Sequence, residues 1–200
     1  MAAAHLPDDR AAGAKLALRD QLLTARGRLP VAVIAARARS RAEHLLATEE
    51  VRRAATVAAY VSVGREPGTG PLLDALVAAG KRVVLPLLLA DMDLDWGVYR
   101  GPESLVRAGR GLLEPAGEPL GADAVATADV VLVPGLAVDR TGVRLGRGGG
   151  SYDRALGRVP VGTFTCVLLD AAEILDDVPH APHDRPVTAV ATEDGVLRLR

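Results

Sequence analysis

The segment Asp129-Val130-Val131-Leu132-Val133-Pro134-Gly135 constrains the fold more than any other. A short unbroken apolar run has no polar alternation to turn toward water. As a strand it must be covered on both faces, the condition of strands in a parallel sheet. The run from Ala55 to Val63, stopped at Gly64, has the same character and reads as a first parallel strand. A helical segment from Pro71 to Ala79 stops at Gly80, and Lys81 to Pro86 reads as the next strand, completing a βαβ unit. Thr163 to Leu169 and Val187 to Ala191 are further apolar strands, and Gly195 turns the chain into a short terminal strand. Asp93 to Tyr99 is a weaker strand candidate. Alternating β and α segments predict an α/β fold: a single domain over 1–200 with an open, mostly parallel sheet flanked by helices.

A helical pair precedes the first strand. Asp8 or Asp9 can cap a helix running to about Arg28, with Leu16, Leu22 and Leu23 on its apolar stripe and Gly27 near its stop. Lys15 and Arg19, at i and i+4, project from one face of it. Pro30 opens the second helix, whose apolar positions are Val33, Ile34, Ala38, Leu45 and Leu46. Arg37, Arg39, Arg41, Glu43 and Glu49-Glu50 are expected on its solvated face. The Gly- and Pro-rich stretch from Gly101 to Gly121 reads as a surface excursion.

Charge and composition narrow what such a sheet can do. Lys and Arg number 24 against 25 Asp and Glu, a net charge of -1, which leaves no broad basic face for a nucleic-acid duplex. Any anion site must be local. Aromatics at 2% argue against base-stacking platforms and leave the core to Ala, Val and Leu. Cys166 is the only cysteine, so no intrachain disulfide or Cys-based zinc site can form, which fits a reducing compartment. Cys166 itself reads as a small buried core residue. The segment MAAAHLPDDR lacks the basic and apolar regions of a secretory signal, and Val83 to Leu89 falls far short of the roughly 18 residues of a membrane span. A cytoplasmic protein is expected.

The chemistry concentrates between Pro134 and Arg154, at the C-terminal end of a strand, where open α/β sheets place their ligands. Gly142, Gly146, Gly148, Gly149 and Gly150 permit positive φ and let backbone N–H groups approach an anion. The helix opening at Ser151 adds positive potential, and Arg144 and Arg147 supply charge. Phosphate binding follows, although neither the P-loop nor the dinucleotide-turn spacing is present. On composition alone a flexible loop with solvated arginines stays open. His180 and His183 are spaced closely enough to suggest zinc, but Pro179, Pro182 and Pro186 make a rigid loop that argues against it. Trp96 and Tyr99 either line a pocket or cover a strand.

The stretch from Pro134 to Arg154 resembles the signature of the 5-formyltetrahydrofolate cyclo-ligase (methenyltetrahydrofolate synthetase) family, roughly P-G-L-A-F-D-x-x-G-x-R-L-G-x-G-x-G-Y-Y-D-R. Weaker parallels occur in the family's order. They are K-x-x-x-R at Lys15 and Arg19, E-x-x-T at Glu66 and Thr69, and G-K-x-V-x-L-P from Gly80 to Pro86. Gly111 to Pro115 stands where the family has G-I-x-E-P, and His183-Asp184 matches a C-terminal H-D. Ser151 replaces the first of two family tyrosines, and Gly149 stands where some members have lysine.

The resemblance implies ATP-dependent cyclisation of 5-formyltetrahydrofolate to 5,10-methenyltetrahydrofolate with release of ADP and phosphate, ATP being co-substrate and Mg²⁺ the cofactor. The family's formyl oxygen attacks the γ-phosphate, N10 attacks the resulting imino-phosphate, and phosphate leaves. No protein nucleophile is needed, so the protein's task is positioning and charge neutralisation. By the same resemblance Lys15 and Arg19 reach the ATP phosphates, while Arg144, Leu145, Gly146, Arg147, Gly148, Gly149, Gly150, Ser151 and Tyr152 wrap the nucleotide. Lys15, Arg144 and Arg147 are the catalytic charges, and Asp153 and Asp184 hold Mg²⁺. Val61 and Glu66, with Gly148 to Tyr152, contact the folate. Two alternatives remain: an enzyme using the same nucleotide loop on another formylated or carboxylated substrate, and a non-catalytic nucleotide or folate binder. The joint presence of Lys15, Arg19, Arg144, Asp153 and Asp184 favours catalysis. The expected partners are the two small molecules, without nucleic acid or membrane, and a monomer is expected.

Overall fold

A computed structural model describes the backbone of residues 7–199 and the side chains of residues 12–199. Helices α1 (Pro7–Gly27), α2 (Val31–Ala47) and α3 (Glu49–Arg53) come first. The chain continues through β1 (Thr56–Ala58), α4 (Gly70–Ala78), β2 (Arg82–Leu88), β3 (Leu94–Tyr99), β4 (Leu105–Arg107) and β5 (Leu113–Pro115). It then forms β6 (Val130–Pro134), β7 (Ala137–Asp139), β8 (Arg144–Leu145), α5 (Ser151–Arg158) and β9 (Phe164–Leu168). The final strands are β10 (Ile174–Leu175), β11 (Ala189–Thr192) and β12 (Gly195–Arg198).

The main sheet has seven strands in the order β12-β11-β9-β6-β1-β2-β3. From β11 to β2 every pairing is parallel, and the antiparallel strands β12 and β3 close the two edges. The unbroken apolar run of β6 is buried on both sides, as its pattern requires. Val130 and Leu132 enter one core with Val57, Val83, Cys166 and Ala189, under α2 and α4. Val131 and Val133 enter the opposite core with Ala58, Val84, Val167 and Val190, covered by Ala155 and Leu156 of α5. Alternation of Cβ direction along a strand divides one sequence run between two cores. Chain order reverses beside β1, which pairs with β2 on one side and with β6 on the other. The crevice beyond the ends of β1 and β6 is therefore the sheet's switch point.

Several sequence expectations change. The first strand stops at Ala58, and residues 59–63 leave the ladder held by Ala59 N–H on Val84 O at 2.9 Å and Ser62 N–H on Thr69 Oγ1 at 2.9 Å. The Gly-rich segment is no simple loop: β7 and β8 pair as a hairpin, and β10 adds a third strand. Gly142 makes their turn at φ +88°, where a Cβ would sit 2.2 Å from Val187 O. The stretch from Gly101 to Gly121 is likewise more than an excursion, since β4 and β5 pair and Glu114 Oε1 accepts Leu88 N–H at 3.0 Å.

The helical pair also differs. Leu22 does pack, together with Leu18, on Leu136, Leu145 and Val178, but Leu16 and Leu23 are exposed. The Asp8 and Asp9 side chains lie outside the described residues. On α2, Arg41 is not solvated: it is 1% exposed and donates to Leu169 O at 2.9 Å and Asp170 Oδ1 at 2.8 Å. A guanidinium with two fixed acceptors tolerates burial where a free one would not.

Candidate active site

A cleft of about 580 Å³ opens at the switch point. Its floor is the chain leaving β1 and β6, one wall is α1, and another is the segment from Arg144 to Asp153. Lys15, Arg19, Val61, Glu66, Asp184 and every residue from Arg144 to Asp153 line it. All the site residues expected from the sequence thus meet in one place.

Each charged group is held by another part of the site. Lys15 Nζ donates to Asp184 Oδ2 at 2.5 Å, joining α1 to the C-terminal loop. One helical turn on, Arg19 Nε donates to Gly146 O at 2.8 Å. Arg144 donates to Asp153 Oδ1 at 3.0 Å and to Pro134 O at 3.2 Å. Arg147 Nη2 lies 3.0 Å from Glu66 Oε1, while Glu66 Oε2 accepts Val63 N–H at 2.9 Å. Three ion pairs therefore join a cation suited to phosphate with a carboxylate suited to a metal or a donor-rich ligand.

The environments differ in ways that matter chemically. Arg144 is buried, and desolvation lowers its pKa against the opposing pull of Asp153 and Tyr152. Burial would raise the Asp184 carboxyl, but the Lys15 hydrogen bond and the Ala181 N–H outweigh it and hold the group below the ordinary carboxylate range. Burial, then Glu66, pushes the Tyr152 phenol up, so it keeps its proton. Arg147, with a side chain 55% exposed, is the least enclosed of the three paired cations. Gly150 enters α5 at φ +69° with no side-chain cap, leaving the helix N-terminus open toward the cleft.

Some expected residues act differently from their sequence reading. The Leu145 side chain is buried in the cluster with Leu136 and Val178, so only its backbone is available to a nucleotide. Trp96 and Tyr99 cover strand β3 within the two cores and do not line the cleft. Cys166 is fully buried, and desolvation raises its thiol. His183 is exposed beside Asp184, and His180 is exposed with Nδ1 3.4 Å from Val178 O.

The 5-formyltetrahydrofolate cyclo-ligase family matches this chain over residues 11–193. The chain belongs to that family. The 5-formyltetrahydrofolate cyclo-ligase of Mycolicibacterium smegmatis is 46% identical to it over 151 residues, 72% of this chain and 77% of its own. That of Escherichia coli K12 is 32% identical over 163 residues, 78% of this chain and 87% of its own. The solved structure of 5,10-methenyltetrahydrofolate synthetase from Aquifex aeolicus superposes with a TM-score of 0.79 at 28% identity, covering 93% of each chain.

This cyclo-ligase carries cleft residues that motif reading passed over, among them Tyr60, Met92, Arg110 and Glu114. Glu114 was within reach, since it sits in the Gly111 to Pro115 turn. Tyr60 lies inside the apolar run from Ala55 to Val63 and gives no local sign of facing a ligand. Among the described residues no group of three or more His, Cys, Asp and Glu side chains is placed to hold a metal. Asp153 and Asp184 nonetheless fit Mg²⁺: Asp153 is engaged through Oδ1 and Asp184 through Oδ2, so each has a second oxygen to offer. Two carboxylates completed by phosphate oxygens and water are the usual donor set for that ion.

Proposed function

We propose that this cyclo-ligase closes 5-formyltetrahydrofolate to 5,10-methenyltetrahydrofolate at the expense of ATP, using the cleft at the β1–β6 switch point for both substrates. The observation carrying this reading is the convergence there of Lys15, Arg19, Arg144, Asp153, Asp184 and Glu66, drawn from separate parts of the chain. A binder of folate alone has no physical need for that set of cations and acids.

In the proposed mechanism the formyl oxygen attacks the γ-phosphorus and ADP leaves. N10 then attacks the activated formyl carbon, loses its proton, and phosphate departs with the formyl oxygen. Neither step needs a protein nucleophile, so the residues contribute alignment and charge. Lys15 and Arg147 exchange their present carboxylate partners for phosphate oxygens, and Arg19 extends from Gly146 O to the same group. Arg144, pinned by Pro134 O, stays in place and orients Asp153. Asp153 and Asp184 would hold Mg²⁺, which when bound neutralises phosphate charge. Glu66, released from Arg147, accepts hydrogen bonds from the donor-rich edge of the pterin, and Val61 packs beside it. Ser151, smaller than the family tyrosine, leaves space against the ligand at the α5 entrance.

Purified protein with MgATP and 5-formyltetrahydrofolate is expected to form the methenyl product, followed by its near-ultraviolet absorbance, with none in a control lacking ATP. Retained ATP binding without product would transfer the site to another acceptor substrate.

A further inference from the structure

Tyr60 stands where the chain leaves β1, two residues past the strand's end. It lines the cleft and is 4% exposed, yet its hydroxyl is buried with no hydrogen-bond partner among the described residues. Native structures rarely leave a buried hydroxyl unpaired, and such a group at a cleft wall points to a partner that arrives from outside. The ring packs in the core cluster with residues of α2 and α4. Burial, then the nearby Glu66 carboxylate, raises the phenol pKa, so the group stays protonated and able to donate.

Position identifies which ligand it meets. Tyr60 is adjacent to Val61 and on the segment that folds back through Val63 to Glu66, whereas Lys15 and Arg19 come from α1 and Arg147 from the loop before α5. We infer that Tyr60 is a specificity residue for the folate, its hydroxyl donating to an acceptor on the formylated pterin head that lies against Val61 and Glu66. This inference rests on the proposed folate side of the cleft. The structural competitor is a trapped water joining the phenol to Arg26 Nη1 and Arg41 Nη1, which are also buried and unpaired.

Tyr60→Phe removes only the hydroxyl and separates the two. The expected result is a free protein that melts at the same temperature or higher, a roughly three- to tenfold weaker affinity for 5-formyltetrahydrofolate, and an unchanged affinity for ATP. A lower melting temperature with folate affinity unaltered would assign the hydroxyl to an internal water and overturn the inference. Equal weakening toward both ligands would overturn it as well. Folate binding is measured directly in the absence of ATP, which keeps this test apart from the reaction. Tyr60-dependent binding without turnover would sink the reaction and sustain Tyr60; turnover with Tyr60-independent binding would do the reverse.

Discussion

Arg26 shows how one side chain can hold a binding site together from a distance. It is 3% exposed, donates to both oxygens of Glu173 at 2.6 and 2.7 Å, and places Nη2 on Gly135 O at 2.8 Å. Burial opposes its charge, but the Glu173 hydrogen bond and charge keep its pKa above the ordinary value. Arg26→Ala would strand a buried carboxylate, and breaking such a pair costs about 3–5 kcal/mol. Urea titration of the variant should show that loss. Asp153→Asn has a different signature. We expect turnover to fall about 100- to 1,000-fold, as when other electrostatic groups aimed at a transition state are removed, with folate affinity within a few-fold. Unchanged turnover would take Asp153 out of the reaction. Cys166 is expected to be unreactive in the native state, because it is fully buried and desolvation raises its thiol pKa. A thiol reagent at pH 8 should therefore label it only as the protein unfolds, and rapid native labelling would contradict its burial.

At the scale of elements, the segment from Ala137 to Arg158 is anchored on several sides. The β7–β8 hairpin fixes its first half, with Asp139 Oδ1 accepting Thr141 N–H at 2.8 Å and Val143 N–H at 3.2 Å. The second half is fixed through α5, whose Arg158 pairs with Asp93 at 2.5 Å and whose Arg154 donates to Met92 O at 2.7 Å. Gly142 links the hairpin to the segment that leads into β11, since its carbonyl accepts Val187 N–H at 2.9 Å. Gly142→Ala imposes a left-handed conformation on a residue with a Cβ, about 1–3 kcal/mol by itself. The contact with Val187 O then forces a further shift. Thermal denaturation should register a loss at or above the top of that range. Wild-type stability would show that the turn relaxes freely.

The whole molecule is clamped by pairs that close across the sheet's ends, and their titration is expected to contribute to its acid sensitivity. Asp184 is held below the ordinary carboxylate value of 3.8 by Lys15 and Ala181 N–H despite burial, and Asp93 is held down chiefly by the Arg158 hydrogen bond. The native state binds these protons less readily than the unfolded chain. Their contribution is therefore complete above about pH 4 and is lost as pH falls through the lower native values. The urea midpoint should decline below pH 4, and Asp184→Asn should flatten part of that decline. A variant with the wild-type acid profile would remove Asp184 from the linkage. Further pairs join α1 and α2 to the segment after β9, where Asp170 receives Arg37 and Arg41 and Glu173 receives Arg26.

By itself the sequence determined the parallel sheet, because Val130 to Val133 is apolar without interruption, and Phe164 to Leu168 is apolar but for Thr165, and such runs persist only between two covered faces. It also named charged residues that line the cleft: Lys15 and Arg19 share a helix face, and the glycines and arginines before Ser151 form a local pattern. Tertiary structure alone decided that Arg26 and Arg41 are buried, since their acceptors Glu173 and Asp170 are 147 and 129 residues away. It decided that Trp96 and Tyr99 belong to the cores and that Tyr60 belongs to the cleft, a choice made by which elements cover each strand end. It also paired Lys15 with Asp184 and Arg147 with Glu66. Periodicity and spacing are local signals, whereas the burial of a long polar side chain depends on partners that only folding brings within reach.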